Sequence, residues 1–138
     1  MNNKLLLYSD GGARGNPGPS AIAFLAVNEK GDILTANARF LGIRTNNQAE
    51  YEALIYALEY ASNLKAQQVV CYLDSELVCK QLNGQYQVKN PQLFQLYRKV
   101  QSIKKTFLDI SFLNVPRENY YIQKADMLVN QTLDKQKG

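Results

Sequence analysis

Histidine and tryptophan are absent from this 138-residue chain, and only two cysteines occur, Cys71 and Cys79. Without histidine there is no Ser-His-Asp or Cys-His nucleophilic site, and no zinc site built on imidazole. Two cysteines complete neither a four-cysteine zinc site nor a disulfide framework, so free thiols are expected. No apolar run approaches the ~18 residues of a membrane span, which predicts a protein without membrane contact. The chain passes from Met1 straight to a strand-like Leu5-Leu6-Leu7-Tyr8. A signal peptide needs a longer apolar region and a small-residue cleavage site, so the expected location is the cytoplasm. With 46% hydrophobic and 20% charged residues, 8 glycines and 4 prolines, the composition is that of a globular protein. One domain over residues 1–138 is expected at this length, as a monomer. Any acid–base or metal chemistry is left to carboxylates.

The net charge of +4 is unevenly placed. From Leu77 to Leu108 there is no Asp or Glu, while Lys80, Lys89, Arg98, Lys99, Lys104 and Lys105 fall in that window. The remaining 10 basic and 12 acidic residues leave a balance of −2. Tyr86, Phe94 and Tyr97 are interleaved with the basic residues. Such a stretch suits a polyanion, since cations neutralise phosphates and aromatic rings pack on sugars or bases. It also suits a solvated helix face over core aromatics. The acids elsewhere are the more informative feature, because a nucleic-acid binder avoids them unless it uses them to hold metal.

Along the chain, Leu5–Ser9 reads as a buried strand ended by the turn-rich segment Asp10 to Pro19. Ala21–Val27 and Ile33–Gly42 read as strands joined by a Lys30-Gly31-Asp32 turn. The period then changes: Ala49, Ala53, Leu54, Ala57, Leu58 and Ala61 recur at helical spacing, with Thr45, Asn46 and Asn47 as cap candidates. Val69–Leu73 is a short strand, and Ser75 caps a helix stopped by Asn83-Gly84. Pro91 opens a helix with Leu93, Leu96, Val100 and Ile103 on one face. Leu108–Val115 is a fifth strand and Ile122–Leu133 a last helix. The order β-β-β-α-β-α-α-β-α predicts an α/β fold. Its mixed five-stranded sheet has three antiparallel strands followed by two parallel ones, flanked by helices.

Four acids fall at element ends on this map. Asp10 follows the first strand, Glu50 opens the first long helix, Asp74 follows the fourth strand, and Asp126 lies in the last helix. If the first and fourth strands are parallel neighbours, Asp10 and Asp74 emerge at the same end of the sheet, where ligand sites of open α/β sheets form. Clustered carboxylates repel one another unless a cation joins them. Oxygen ligands favour Mg²⁺ or Mn²⁺ over zinc. Two such ions ~4 Å apart clamp a phosphodiester without any protein nucleophile. Taken singly, each acid is also an ordinary turn or surface residue.

The motifs that carry these acids resemble those of ribonuclease HI. They are Tyr8-Ser9-Asp10-Gly11-Gly12-Ala13-Arg14-Gly15-Asn16-Pro17-Gly18-Pro19, then Thr45-Asn46-Asn47-Gln48-Ala49-Glu50, then Asp74-Ser75-Glu76-Leu77-Val78, and finally Ala125-Asp126-Met127-Leu128-Val129-Asn130. The Gly-Ala-Arg-Gly-Asn-Pro-Gly form and Val115-Pro116-Arg117-Glu118 are similar to the compact archaeal-like branch of that family. The resemblance implies a ribonuclease H fold. It implies hydrolysis of the RNA strand of RNA–DNA hybrids with Mg²⁺ (two ions, Mn²⁺ as the alternative), leaving 5′-phosphate and 3′-hydroxyl ends. It assigns Asp10, Glu50, Asp74 and Asp126 as catalytic metal ligands. It assigns Asn16, Asn46 and Asn47 as minor-groove contacts, with Gly11 close to the substrate backbone. Thr45 and Arg44 are possible phosphate contacts, and the basic window Lys80–Lys105 is the candidate surface for the DNA strand. The chain departs from the family pattern at Asn114, where relatives often carry histidine, and at Glu76, where they often carry glutamine.

Overall fold

The computed structural model describes residues 4–136; residues 1–3 and 137–138, which include Met1 and both ends of the single domain expected over 1–138, lie outside the described residues. The elements are β1 (Lys4–Ala13), β2 (Gly18–Val27), β3 (Ile33–Arg44), α1 (Asn46–Asn63), β4 (Gln68–Leu73), α2 (Glu76–Leu82), α3 (Pro91–Lys104), β5 (Asp109–Asn114) and α4 (Tyr120–Lys135). They form one five-stranded sheet in the order β3-β2-β1-β4-β5. β1–β2 and β2–β3 are antiparallel, and β1–β4 and β4–β5 are parallel, which is the predicted fold class.

β2 is apolar on both faces because both faces are covered. Its Phe24 and Ala26 pack with α1, α2 and α3 through Leu54, Leu58, Val78 and Val100. Its Ala21, Ala23, Leu25 and Val27 pack under α4 through Ile122, Ala125, Val129 and Leu133. The alanines of α1 let that helix lie close to the sheet, and Ala49, Ala53, Ala57 and Ala61 are fully buried. Between α1 and α2, the buried Tyr51 hydroxyl donates to Gln81 Oε1 at 2.7 Å, which satisfies both polar groups.

The helix starts are set by short polar side chains. Thr45 caps α1 in a capping box with Gln48, Ser75 caps α2, Asn90 caps α3 ahead of Pro91, and Asn119 caps α4. The Asn119 cap starts α4 at Tyr120, ahead of the Ile122 expected from the apolar spacing.

One segment differs from its sequence reading. Asp10 to Ala13 was expected as turn, but β1 runs through it, paired with β2 from Asp10↔Ala23 to Ala13↔Ser20. Only the following residues turn, with Gly15 at φ 93. Glycine in this strand serves close packing instead of a turn. A Cβ on Gly11 would lie 2.2 Å from the Ala49 carbonyl oxygen, so the strand touches the α1 backbone directly. The parallel pairing of β1 with β4 ends at Tyr8↔Tyr72. Asp10 and Asp74 both follow immediately beyond it, side by side at one end of the sheet.

Candidate active site

Three elements deliver acids to that end. Asp10 comes from β1 past its parallel partner, Asp74 from the end of β4, and Glu50 from one turn inside α1. Carboxylate oxygens of Asp10, Glu50 and Asp74 lie within 4.8 Å of one another. Asp126 of α4 lines the same cleft, a cavity of about 330 Å³ that Gly12, Asn46 and Arg117 also border. The structure therefore brings together all four acids singled out from the sequence. The close approach of Gly11 to α1 serves the site as well, because its N–H donates to Glu50 Oε1 at 2.7 Å.

The electrostatics are those of a cluster short of positive charge. Asp10 is only 7% exposed. Burial first, then the charges of Glu50 and Asp74, hold its carboxyl far above the usual carboxylate range. Glu50 is pushed up by burial and by Asp74, against the Gly11 N–H bond that favours its ionised form. Asp74 is pushed up by burial, with Arg117 acting in the opposite direction. The Arg117 guanidinium stands 3.7 Å from Asp74 and is 84% exposed, too far and too wet to neutralise three carboxylates. Adjacent carboxylates that resist ionisation are those a divalent cation would stabilise, and an all-oxygen donor set fits Mg²⁺ or Mn²⁺.

Sequence reasoning assigned Arg117 no role. Its only signal was the Val-Pro-Arg-Glu segment, and the placement beside Asp74 depends on how the β5–α4 connection folds back. Glu76, where relatives often carry glutamine, pairs with Lys80 at 2.7 Å. Asn114, at the place of the missing histidine, donates to the Leu73 carbonyl at 3.1 Å.

The other candidates fall into two groups. Asn16 and Asn46 hold the glycine loop against α1: Ala13 N–H donates to Asn46 Oδ1 and Asn46 N–H donates to Asn16 Oδ1, each at 2.9 Å. Their carbonyl ends are thus engaged, and their NH₂ ends remain as donors. Asn47 is half-buried in the same first turn of α1. Thr45 is the α1 cap, and Arg44 is paired with Glu52 at 2.8 Å.

The basic window extends along the whole of α3. The start of α3 lies near the site end, where Gln48 Nε2 donates to Gln92 Oε1. Its far end lies beside Gln67, which accepts from Leu108 N–H at the opposite edge of the sheet. Lys104 and Lys105 are therefore about 20 Å of helix away from that start. Lys80 is paired with Glu76, and Lys99 faces Glu59 at 3.9 Å. Lys89 and Arg98 are exposed. A larger groove of about 680 Å³ lies between α1, α3 and the β2–β3 face, with Arg39 over the Tyr56 ring, and it holds none of the four acids.

A five-stranded mixed sheet with a carboxylate cluster beyond its two central parallel strands defines an α/β domain whose acidic group at the sheet end could hold a metal ion. Residues 8–132 match the family described as reverse transcriptase-like. The chain is 39% identical to ribonuclease HI of Halobacterium salinarum over 127 residues, covering 92% of this chain and 63% of that protein. The crystal structure of that archaeal RNase H1 superposes with a TM-score of 0.92 at 38% identity, covering 96% of this chain and 98% of that one. LC11-RNase H1 in complex with an RNA/DNA hybrid superposes at 0.90 with 40% identity, covering 97% of this chain and 99% of that one. This chain belongs to the reverse transcriptase-like family of ribonuclease H domains. It spans 63% of the length of the Halobacterium protein and 36% of the bifunctional Mycobacterium tuberculosis protein Rv2228c, which it matches at 38% identity. Among the described residues, no helix is long and apolar enough to cross a membrane.

Proposed function

We propose that this chain is an endoribonuclease that hydrolyses the RNA strand of RNA–DNA hybrids, using two Mg²⁺ ions that Mn²⁺ can replace, and leaves 5′-phosphate and 3′-hydroxyl ends. The observation that carries this reading is the convergence of Asp10, Glu50 and Asp74 within 4.8 Å, with Asp126 on the same cleft, in a domain of this family. The bound hybrid of LC11-RNase H1 supports the substrate class.

Asp10, Glu50, Asp74 and Asp126 would hold the metal. Bound there, Mg²⁺ supplies an activated water and offsets charge on the phosphate and the leaving oxygen. The Gly11 N–H keeps Glu50 aimed into the cleft. The free NH₂ ends of Asn16 and Asn46, with Asn47 beside them, are donors suited to the 2′-hydroxyls that distinguish RNA from DNA in a minor groove. Arg117 adds an exposed cation bordering the cleft, suited to a phosphate. With histidine absent, proton transfer falls to water and the carboxylates. We propose a monomer, located in the cytoplasm; the location is supported by two buried free thiols, Cys71 and Cys79, which suit a reducing compartment.

The decisive test is cleavage of an end-labelled hybrid with Mg²⁺, Mn²⁺ or EDTA, beside duplex DNA, duplex RNA and single strands. Metal-dependent cutting confined to the RNA of the hybrid is expected. Binding without cutting under either metal would make this a degenerate binding module.

For the DNA strand we propose Lys89 and Arg98 as the phosphate contacts within the basic window. The double variant Lys89→Ala/Arg98→Ala should weaken hybrid binding and flatten the slope of log K against log salt by about 2, roughly one per contact. Lys104→Ala/Lys105→Ala, at the far end of the sheet, should leave the slope unchanged. An unaltered slope in the first variant would remove α3 from the interface.

A further inference from the structure

Asp126 is held differently from the other acids. It does not belong to the group whose carboxylate oxygens approach within 4.8 Å, so its placement depends on its own neighbours. One turn further along α4, the Asn130 side-chain amide donates to Asp126 Oδ2 at 3.3 Å and to its carbonyl oxygen at 3.1 Å. Asn130 is itself oriented from the other side. Arg14 Nη2 donates to Asn130 Oδ1 and to its carbonyl oxygen, both at 3.4 Å. The same Nη2 is anchored to Asp134 at 2.8 Å. The amide of Asn130 thus has its acceptor end on a cation and its donor end on a carboxylate, and a flip would set donor against donor and acceptor against acceptor.

Arg14 does not belong to α4. It sits at the start of the loop joining β1 to β2, and the other flank of that loop is tied to α1 through Asn16 and Asn46. A chain of contacts therefore runs from the α1 end of the cleft, through the glycine loop, to Arg14, Asn130 and Asp126. Arg14 Nη1 is buried without a hydrogen-bond partner, although its side chain is 35% exposed overall. An arginine free to choose would turn that nitrogen to water, so the loop and Asp134 dictate where it stands.

We propose that Asn130 is a positioning residue for Asp126, held in its working orientation by Arg14, and that the glycine loop thereby couples the fourth acid to the rest of the site. This rests on the reading of the four acids as metal ligands. A partner of this kind behind a ligand typically changes metal affinity or activity by 10- to 100-fold when removed.

The test is a double-mutant cycle on the full chain, comparing wild type, Asn130→Ala, Asp126→Asn and the double variant, with Arg14→Ala and Arg14→Lys alongside. Three experiments are run: Mn²⁺ affinity by electron paramagnetic resonance, steady-state kcat and KM on a hybrid, and the Asn130 side-chain amide resonances in ¹⁵N spectra. Asn130→Ala should lower kcat and Mn²⁺ affinity about 10-fold with KM unchanged. It should have no further effect in the Asp126→Asn background. Arg14→Ala should reproduce part of the loss, and Arg14→Lys, which keeps a cation for Asp134, should recover part of it. The Asn130 amide resonances should move in both Asp126→Asn and Arg14→Ala. Wild-type behaviour of Asn130→Ala, an equal loss in both Asp126 backgrounds, or a change in KM alone would overturn the proposal. If the wild-type protein cuts no hybrid, the hydrolase reading fails separately, and the Mn²⁺ cycle with the amide resonances still decides the role of Asn130.

Discussion

Asp10→Asn should lower hydrolysis of the hybrid by about 10³-fold or more while making the metal-free protein more stable. The first effect follows from the metal-holding role proposed for Asp10, which is only 7% exposed. Charge stabilisation by a bound metal amounts to several kcal/mol at the transition state, and each 1.4 kcal/mol or so is tenfold in rate. The second follows from the pKa shifts. Both Asp10 and Glu50 have folded-state values raised above their ordinary ones, Asp10 by burial and the charges of Glu50 and Asp74, and Glu50 by burial and the charge of Asp74. For such groups the linked stability is fully present below the unfolded value, ~4, and is lost as pH rises through the folded value. Metal-free wild type should therefore lose stability from about pH 4 upward through neutrality.

Replacing Asp10 by an uncharged isostere removes part of that loss. At pH 7 the variant should be more stable than metal-free wild type by about 1–3 kcal/mol, the equivalent of one to two pKa units. The two proteins should converge near pH 4, where Asp10 is protonated in wild type as well. Adding Mg²⁺ should raise the Tm of wild type and leave that of the variant nearly unchanged, because only a ligand bound by the folded state stabilises it. The measurements are single-turnover cleavage and thermal melts with and without Mg²⁺ across pH. Near-normal cleavage by Asp10→Asn would refute the metal assignment. A variant less stable than metal-free wild type at neutral pH would show that the cluster is not repulsive.

Gly11→Ala should be strongly damaging, although it adds only one methyl group. The new Cβ would stand 2.2 Å from the Ala49 carbonyl oxygen and 3.0 Å from the Glu50 nitrogen. Both are backbone atoms of a capped helix, so no side chain can swing aside, and β1 and α1 must separate. Overpacking of this kind costs about 3 kcal/mol, which for a domain of this size lowers Tm by roughly 10 °C. The separation also breaks the Gly11 N–H bond to Glu50, so activity should fall further than stability accounts for, and excess Mg²⁺ should not restore it. Gly12→Ala is the control. Its Cβ would meet only Val129 Cγ1 at 3.9 Å, an ordinary contact, so its Tm should stay close to that of wild type. Equal melting temperatures for Gly11→Ala and wild type would mean that α1 does not lie against β1 as described.

Much of this molecule is legible in its residues. Helical spacing from Ala49 to Ala61, the cap at Ser75, the opening Pro91, and the apolar runs of β2 and β4 mark the elements, because burial of one face repeats with the period of the local backbone. The motif resemblance points to the same family that the comparisons show. The glycine-rich stretch was misread for a physical reason. Glycine marks either a turn or a place where another backbone approaches, and local sequence does not distinguish them. At Gly11 the approaching backbone is α1, which lies 38 residues further on at Ala49. The basic window was legible only as a stretch of chain: a helix carries its ends apart, and Lys104 and Lys105 finish at the far end of the sheet from the start of α3.

What the sequence by itself determined about this protein is its inventory. It has no histidine, four acids placed at element ends, a mixed sheet and a family. Each of these depends on composition, local period or motif order. What only the tertiary structure decided is how those groups meet. The parallel pairing of β1 with β4 ends just before Asp10 and Asp74, a glycine contact holds Glu50 in place, Arg117 stands over Asp74, and Arg14 reaches α4 to touch Asn130. These contacts join residues far apart along the chain. Their energies depend on burial and on distances of a few ångströms, which exist only once the sheet is assembled.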